Sequence, residues 1–305
     1  MENNCLLSQL PKTTMPVKAY RYEEGKFKVT PETKADFEDK GFIIVKNLLN
    51  DEELKKARDV LENSDIISKY CHEMDDGAER KSRMCLWNQP GNDVTGMVAR
   101  SEKIAGTCEK LLGGEVYHYH TKLIMKEAYT GGRFLWHQDY GYWYKNTCLF
   151  PDMMTVFIAM DPCRQDNGCL QILEGSHRCG RIDHQPSAGQ MGADLERVDM
   201  VKARCPHRFV EMDPGDALFF HCNLLHTSSQ NDGPNRRWAF LCAYNKASNN
   251  PVKEHIHPLY TKLDKVPNSA ILDCKVDWDE DSKAFYSQKK WDEYSASVLL
   301  CKTNQ

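Results

Sequence analysis

The sequence predicts an α+β domain, mainly β in its core, with an antiparallel double sheet between flanking helices. Helical patterns occupy the first third of the chain, strand patterns fill the middle, and a helical pattern returns near the C-terminus. Helices that are separated from a run of strands favour an α+β domain over an alternating α/β fold. The length of 305 residues also allows a large core that needs no disulfide or structural metal.

The helices are predicted from capping residues and from the spacing of apolar side chains. Asn50 and Glu53 have the spacing of a capping box, in which each side chain bonds the other residue's backbone N–H, so a helix should begin there. The pair Gly113-Gly114 is suited to end a helix, because glycine readily adopts the left-handed conformation. Helices are expected over 32–40, from residue 50 onward, over 101–112 and over 282–300.

The strands are predicted from runs of β-branched, aromatic and aliphatic residues bounded by turns. Residues 154–160 are almost continuously apolar, as expected of a strand that is buried on both faces. Strands are expected over 41–45, 116–126, 154–160, 169–173, 217–220 and 238–244. Residues 62–94 show no clear pattern and could form a lid over a functional site or a plain connection.

The domain organisation is inferred from changes in composition along the chain. Residues 1–30 are polar and interrupted by proline, and we expect them to form an N-terminal arm. Residues 31–305 contain no repeat or low-complexity stretch and should form a single domain, with its β core at 115–250. The sequence leaves the oligomeric state open.

Charge and cysteine usage narrow the class of protein and its surroundings. A net charge of −4, a pI near 6.3 and the lack of a basic stretch argue against nucleic-acid binding. The lack of an apolar run of about 18 residues argues against a membrane span. Thirteen scattered cysteines, without a Cys-x-x-Cys pair, a secretory signal or a peroxisomal C-terminus, favour free thiols in the reducing cytoplasm.

The strongest functional signal is His137-Gln138-Asp139 followed by His226, with Arg237 further along the chain. On a strand, residues two apart point to the same face, so His137 and Asp139 could reach one metal ion. Two histidines and one carboxylate occupy one face of an octahedral iron(II) and leave three positions open. A buried arginine downstream can hold a dicarboxylate through paired hydrogen bonds. This combination points to an iron(II), 2-oxoglutarate-dependent oxygenase.

Two other interpretations of the same residues stay open. His137 and His226 could be core histidines with Asp139 in a turn, since one His-x-Asp triplet is expected by chance in a chain with eleven histidines. The same three ligands could instead hold zinc and activate water for hydrolysis, although Arg237 and Ser228 would then have no evident task.

Arg236 and Arg237 compete for the role of carboxylate anchor. Strand alternation groups Arg237 with the small residues Ala239 and Ala243, whereas Arg236 falls among bulky aromatic residues. A barrel interior that holds a cofactor needs small side chains. We therefore expect Arg237 to point inward and Arg236 to form salt bridges at the surface.

These motifs, taken in order, resemble the phytanoyl-CoA dioxygenase family, and most closely its ectoine- and proline-hydroxylase-like branch. The resemblance extends from about Phe37 to about Pro258. It is carried by Trp136–Asp139, Asn167–Leu170, Glu174–His177, Pro214–His221 and the pair His226 and Arg237. It implies a double-stranded β-helix, or jelly-roll, core with flanking N- and C-terminal helices.

The resemblance also implies roles for individual residues. The iron(II) ligands would be His137, Asp139 and His226. The residues that hold the co-substrate 2-oxoglutarate would be Arg237, Ser228 and Lys126. O2 would be the oxidant, succinate and CO2 the co-products, and ascorbate a supporting reductant. An aspartate at position 139, rather than alanine or glycine, favours hydroxylation over halogenation.

The substrate that the resemblance implies is a small molecule with an unactivated C–H bond, such as proline or another free amino or imino acid. The residues that could line its pocket are His120, Trp136, Tyr140 and Trp143. His120 stands where ectoine hydroxylases have a substrate-binding glutamine, which argues against ectoine itself. An acyl-CoA or lipid-like substrate is one alternative, and a non-catalytic module that binds 2-oxoglutarate and metal is another. Structural or supporting roles are expected for His177, His184 and His221.

Overall fold

The computed structural model describes residues 17–187 and 190–286, and these ranges contain nine α-helices and fourteen strands. The helices are α1 Pro31–Lys40, α2 Asp51–Glu62, α3 Asp65–Tyr70, α4 Val94–Arg100, α5 Thr107–Leu112, α6 Asp139–Trp143, α7 Leu195–Lys202, α8 Ala270–Asp273 and α9 Glu280–Lys283. The strands are β1 Ala19–Arg21, β2 Phe42–Lys46, β3 Cys71–Asp75, β4 Lys81–Trp87, β5 Val116–Lys126, β6 Phe134–His137, β7 Met153–Ala159, β8 Leu170–Leu173, β9 His184–Ser187, β10 Gln190–Ala193, β11 His207–Val210, β12 Ala217–His221, β13 His226–Ser228 and β14 Arg237–Lys246.

Two sheets form the centre of the molecule, in agreement with the predicted α+β class. The larger sheet has the strand order β1-β2-β12-β7-β14-β5-β4-β3, and the smaller has the order β11-β8-β13-β6. Neighbouring strands are antiparallel in both sheets, except that β1 runs parallel to β2. A separate two-stranded ribbon joins β9 to β10.

The apolar run predicted at 154–160 corresponds to strand β7, which is buried on both faces. Its residues Val156 and Ile158 pack into the apolar cluster that also contains Leu54 of α2 and Val98 of α4. The alternate residue Phe157 packs into a second cluster, which contains residues of the smaller sheet. A strand covered by helices on one face and by a second sheet on the other is apolar throughout.

Several element boundaries follow the local signals closely. The Asn50–Glu53 capping box is present at the start of α2, and β5 has the bounds that its composition predicts. The helix expected over 101–112 begins as a π-helical turn at Glu102–Gly106 and continues as α5. Gly113 ends α5 with a φ of 72°, the left-handed conformation that glycine adopts without strain.

The segment 62–94, which showed no clear pattern in the sequence, contains regular secondary structure. It contains α3 and a β3–β4 hairpin, and β4 pairs with β5 over Arg83–Trp87. The hairpin therefore extends the larger sheet, and its residues Met74, Met84 and Leu86 line a cavity between the two sheets. Exposed charged residues at its edge conceal the alternation of apolar side chains that would have predicted strands.

The two ends of the described chain pack against the larger sheet. Ala19–Arg21, within the predicted arm, pairs with β2, and the domain division at residue 30 stays a prediction. At the other end, Lys283 forms a fully buried ion pair with Asp93. Most of the helix predicted over 282–300 lies outside the described residues, and α9 ends at Lys283. None of the helices in the described ranges combines the length and apolar character that crossing a bilayer requires.

Candidate active site

A cavity of about 180 Å³ lies between the two sheets. Strands β5, β6, β7, β13 and β14 line it together with α6, and the β3–β4 hairpin closes one side. Its wall is mostly apolar, with a small number of polar groups that converge on its interior. Such a cavity suits a small molecule, because sites for drug-sized ligands start at about 300 Å³.

His137, Asp139 and His226 meet at the cavity. Their ligand atoms all lie within 4.8 Å of one another, and no other such group of three metal-binding side chains occurs in the described ranges. His137 and His226 are directly paired in the β6–β13 register, with ring centroids 4.1 Å apart. The local geometry differs from the expected strand, because β6 ends at His137 and Asp139 opens α6.

Hydrogen bonds fix the orientation of the three side chains. His137 Nδ1 lies 2.7 Å from the Leu135 carbonyl oxygen, and His226 Nδ1 lies 2.9 Å from that of Leu224. Because a carbonyl can only accept, each Nδ1 carries a proton and each Nε2 offers its lone pair. Thr155 donates a hydrogen bond of 2.7 Å from Oγ1 to Asp139 Oδ2.

The electrostatics of the cluster suit a divalent metal ion. Burial lowers the pKa of both His137 and His226, so both imidazoles are neutral at neutral pH and available as ligands. The negative charge of Asp139 opposes this effect at His226. Two neutral nitrogen ligands and one carboxylate on one side of an open cavity fit iron(II), which needs further free positions for chemistry.

A second group of polar side chains lies at one end of the cavity. Arg237 is 2% exposed, donates to the Gly168 carbonyl over 3.0 Å, and has a buried Nε that finds no hydrogen-bond partner among the described residues. Lys126 is directly opposite Arg237 in the β5–β14 register, and its Nζ donates to Ser228 Oγ over 2.8 Å. Neither cation forms an ion pair with any described residue.

Two buried cations without a counter-charge create a site for an anion. Burial lowers the pKa of both Lys126 and Arg237, and each would regain stability from a carboxylate. The unused Nε of Arg237 supplies a donor for such a ligand. The cavity therefore fits a dicarboxylate with one end at Arg237 and the other at the metal cluster.

Arg236 lies outside the cavity, as strand alternation predicts. It forms ion pairs with Glu62 and Asp161 and lies over the Trp238 ring. These carboxylates balance the charge of Arg236. Of the two adjacent arginines, Arg237 is the one that lines the cavity.

The predicted wall residues divide into two groups. His120 and Trp143 line the cavity, whereas Trp136 and Tyr140 do not. Trp136 packs against His207, and the Tyr140 hydroxyl donates to the Cys148 carbonyl. For Tyr140 the reason is the helical geometry of α6. In a helix, Tyr142 and Trp143 lie on the same side as Asp139, whereas Tyr140 points away from it.

The three histidines assigned structural or supporting roles do not line the cavity, and one of them contacts the site. His184 Nε2 accepts a hydrogen bond of 2.8 Å from the backbone N–H of Gln138, the residue between two cluster members. Burial lowers the pKa of His184 to about 4, which keeps this nitrogen free to accept. His177 and His221 pack against each other, with ring centroids 5.3 Å apart.

Sequence reasoning missed several residues of the cavity. Tyr142 lies three residues after Asp139 on the side of α6 that faces the cavity, and Lys122 lies two residues from His120 on the same face of β5. Alternation along β5 could have identified Lys122. The sequence carries no signal for the others, which come from distant segments: Met74, Met84, His257 and Tyr286.

Comparisons with known proteins agree with this geometry. The family model described as phytanoyl-CoA dioxygenase (PhyH) matches residues 37–239. L-proline trans-4-hydroxylase of Streptomyces griseoviridis is 30% identical over 192 residues, which cover 58% of this chain and 72% of that protein. Ectoine dioxygenase of Bordetella bronchiseptica is 24% identical over 266 residues, which cover 78% of this chain and 83% of that protein.

The fold resembles that of solved oxygenase structures. EctD from S. alaskensis with bound Fe superposes with a TM-score of 0.67 at 20% identity, covering 82% of this chain and 92% of that chain. The carbocyclase SnoK from nogalamycin biosynthesis gives a TM-score of 0.57 at 19% identity, covering 76% of this chain and 96% of that chain. These similarities confirm the expected jelly-roll core with flanking helices.

Proposed function

The chain belongs to the phytanoyl-CoA dioxygenase family, and on that premise we propose that it hydroxylates a C–H bond of a small amino or imino acid. It is a non-haem iron, 2-oxoglutarate-dependent dioxygenase. The observation that carries the proposal is the convergence of His137, Asp139 and His226 on a small cavity that also contains an unpaired Arg237.

We assign the iron to the three converging side chains. His137 and His226 would bind through Nε2, because each Nδ1 is held by a backbone carbonyl. Asp139 would bind through the oxygen that Thr155 does not occupy. Iron(II) bound there supplies, with 2-oxoglutarate and O2, the oxidising power that hydroxylates the substrate and releases succinate and CO2.

We assign the distal carboxylate of 2-oxoglutarate to Arg237, Ser228 and Lys126. The guanidinium offers its unused Nε, the serine offers its hydroxyl, and the lysine adds a second positive charge. Low exposure strengthens these interactions, because little water competes for the donors. Ascorbate would act as a supporting reductant that keeps the iron in its divalent state.

The size and lining of the cavity favour a small substrate. A cavity of about 180 Å³ that must also hold 2-oxoglutarate suits a substrate as small as an amino or imino acid, whereas the nucleotide part of a CoA thioester would have to lie elsewhere. Two relatives have names that specify proline and ectoine, both small compounds. His120 and Trp143 line the cavity and would contact such a substrate.

Succinate release tests the proposal and its alternatives together. Purified protein would be supplied with iron(II), ascorbate and 2-oxoglutarate, and then with proline, other amino and imino acids, ectoine or acyl-CoA esters. We expect an amino or imino acid to stimulate succinate release above the rate without substrate, and zinc to support none. Stimulation by acyl-CoA alone would favour the lipid-like alternative. Binding of iron and 2-oxoglutarate without any turnover would favour a binding module.

Thr155 gives a sharper test of how the metal ligands are held. Because its hydroxyl fixes Asp139 Oδ2, Thr155→Val should lower both iron affinity and turnover by about 10- to 100-fold. Valine preserves the shape of this buried side chain, so the melting temperature should change little. The matched control is Thr107→Val, which removes a buried hydroxyl that bonds Lys103 within a helix away from the cavity. Equal effects of the two substitutions on iron affinity would contradict the assignment.

We infer a reducing compartment, specifically the cytoplasm, from the state of the cysteines. Eleven cysteines in the described ranges are free thiols, and most of them are buried. Burial raises the pKa of Cys85, Cys163 and Cys242, so these thiols are protonated and behave as small apolar side chains. Resistance of the melting temperature to reducing agents would support this inference.

A further inference from the structure

Lys122 is a cation in the cavity whose charge no described residue balances. It lies on β5 between His120 and Ile124, and all three side chains line the cavity. Lys122 forms no hydrogen bond or ion pair with another residue in the described ranges. It pairs with Leu86 of the β3–β4 hairpin on one side and with Leu241 of β14 on the other, four residues along β14 from Arg237.

The groups around Lys122 cannot serve as its counter-charge. Asp139 is the one carboxylate among the described residues that line the cavity, and it belongs to the metal cluster. His120 and His257 also line this part of the cavity, and burial keeps the pKa of both imidazoles well below neutrality. Burial lowers the pKa of Lys122 as well, and the charge of Asp139 opposes that shift.

The distal carboxylate of the co-substrate does not supply the missing anion either. One carboxylate of 2-oxoglutarate would have Arg237, Lys126 and Ser228 as partners, and the other end of the molecule would lie at the metal cluster. Lys122 and Lys126 are separated by about 13 Å along β5, with Ile124 between them. The distal carboxylate is therefore too far along β5 to pair with Lys122. Lys122 instead lies within electrostatic range of Asp139, His137 and His226, so an anion bound beside the metal cluster would reach it.

We propose that Lys122 binds a free carboxylate of the substrate. This inference rests on the proposed function and narrows the substrate class to carboxylic acids, which include amino and imino acids but not CoA thioesters. The acid's hydrocarbon part would contact the apolar wall formed by Met74, Met84 and Leu86. His120 also lines the cavity, and its buried Nδ1, which has no hydrogen-bond partner in the described part of the chain, would form a hydrogen bond with a polar group of the substrate.

The experiment compares each acid with its uncharged carboxamide, starting with L-proline and L-prolinamide. Binding to protein loaded anaerobically with iron(II) and 2-oxoglutarate would be measured by calorimetry, and 2-oxoglutarate affinity by its charge-transfer absorbance. Wild-type protein should bind the acid about 10- to 100-fold more tightly than the amide, as expected for one charge-assisted pair. The other free amino and imino acids of the succinate-release panel would be treated in the same way.

Three variants assign the preference to Lys122. Lys122→Met keeps the aliphatic stem, and should bind acid and amide about equally while holding 2-oxoglutarate within about twofold of wild type. Lys122→Arg keeps the charge and should retain most of the preference. Lys145→Met removes an exposed lysine just after α6, and should behave like wild type.

The outcomes separate this inference from the function on which it rests. If Lys122→Met weakened 2-oxoglutarate and left the preference for acids intact, Lys122 would belong to the co-substrate site and the inference would be wrong. It would also be wrong if wild-type protein bound iron and 2-oxoglutarate but none of the acids. A wild-type protein that bound neither iron nor 2-oxoglutarate would reject the proposed function itself.

Discussion

His137→Ala is expected to reduce 2-oxoglutarate turnover by at least about 1,000-fold while the protein stays folded. The cluster offers three ligand atoms within 4.8 Å of one another, and the loss of one leaves two, too few to hold iron(II) firmly. The cost in stability should be small, because the His137 ring is half-buried and bonds only the carbonyl of Leu135 in its own strand.

Iron content and succinate release would be measured on the same preparation. His177→Ala is the matched control, since it removes an imidazole that bonds the Glu38 carbonyl and does not line the cavity. The control should retain iron and turnover. Normal turnover in His137→Ala, at unchanged melting temperature, would show that another residue holds the metal.

Arg237→Leu is expected to raise the KM for 2-oxoglutarate by about 100-fold or more. It removes the guanidinium that would pair with the distal carboxylate of 2-oxoglutarate in a buried site. Arg236→Leu should leave that KM within about twofold of wild type, since Arg236 is paired with Glu62 and Asp161 outside the cavity. The two variants remove the same guanidinium group from adjacent positions. A difference between their KM values for 2-oxoglutarate therefore depends only on where each guanidinium lies.

The same two variants can be distinguished without turnover. In the absence of 2-oxoglutarate, Arg237 is a buried cation without a counter-charge, so leucine at this position should destabilise the protein little. Added 2-oxoglutarate should raise the melting temperature of wild type and Arg236→Leu, but not that of Arg237→Leu. If 2-oxoglutarate raised the melting temperature of Arg237→Leu but not that of Arg236→Leu, Arg236 would be the carboxylate anchor.

The sequence was most informative where structure depends on neighbours along the chain. The Asn50–Glu53 capping box, the glycine that ends α5 and the bounds of β5 all depend on backbone geometry within a few residues. Strand alternation likewise placed Arg237 inside and Arg236 outside, since the side chains of β14 point to opposite faces in turn.

The prediction was wrong at residues 139–143, where the chain forms a helix and the side chains point in other directions than on a strand. Residues 137–139 were expected to lie on a strand, whereas α6 begins at Asp139, brings Tyr142 and Trp143 to the cavity and turns Tyr140 away. The three metal ligands converge in spite of this error. His137 and Asp139 are close along the chain, and the β6–β13 pairing brings His226 beside them.

The sequence by itself determined the fold class, the family, the reaction class and the types of ligand that the chain offers. Only the tertiary structure decided that the β3–β4 hairpin walls the cavity, that Tyr286 reaches it from the far end of the described chain, and that Lys122 lacks a counter-charge there. The physical reason is that periodicity and capping act within a few residues. The shape and charge of a cavity instead depend on which distant segments pack against one another.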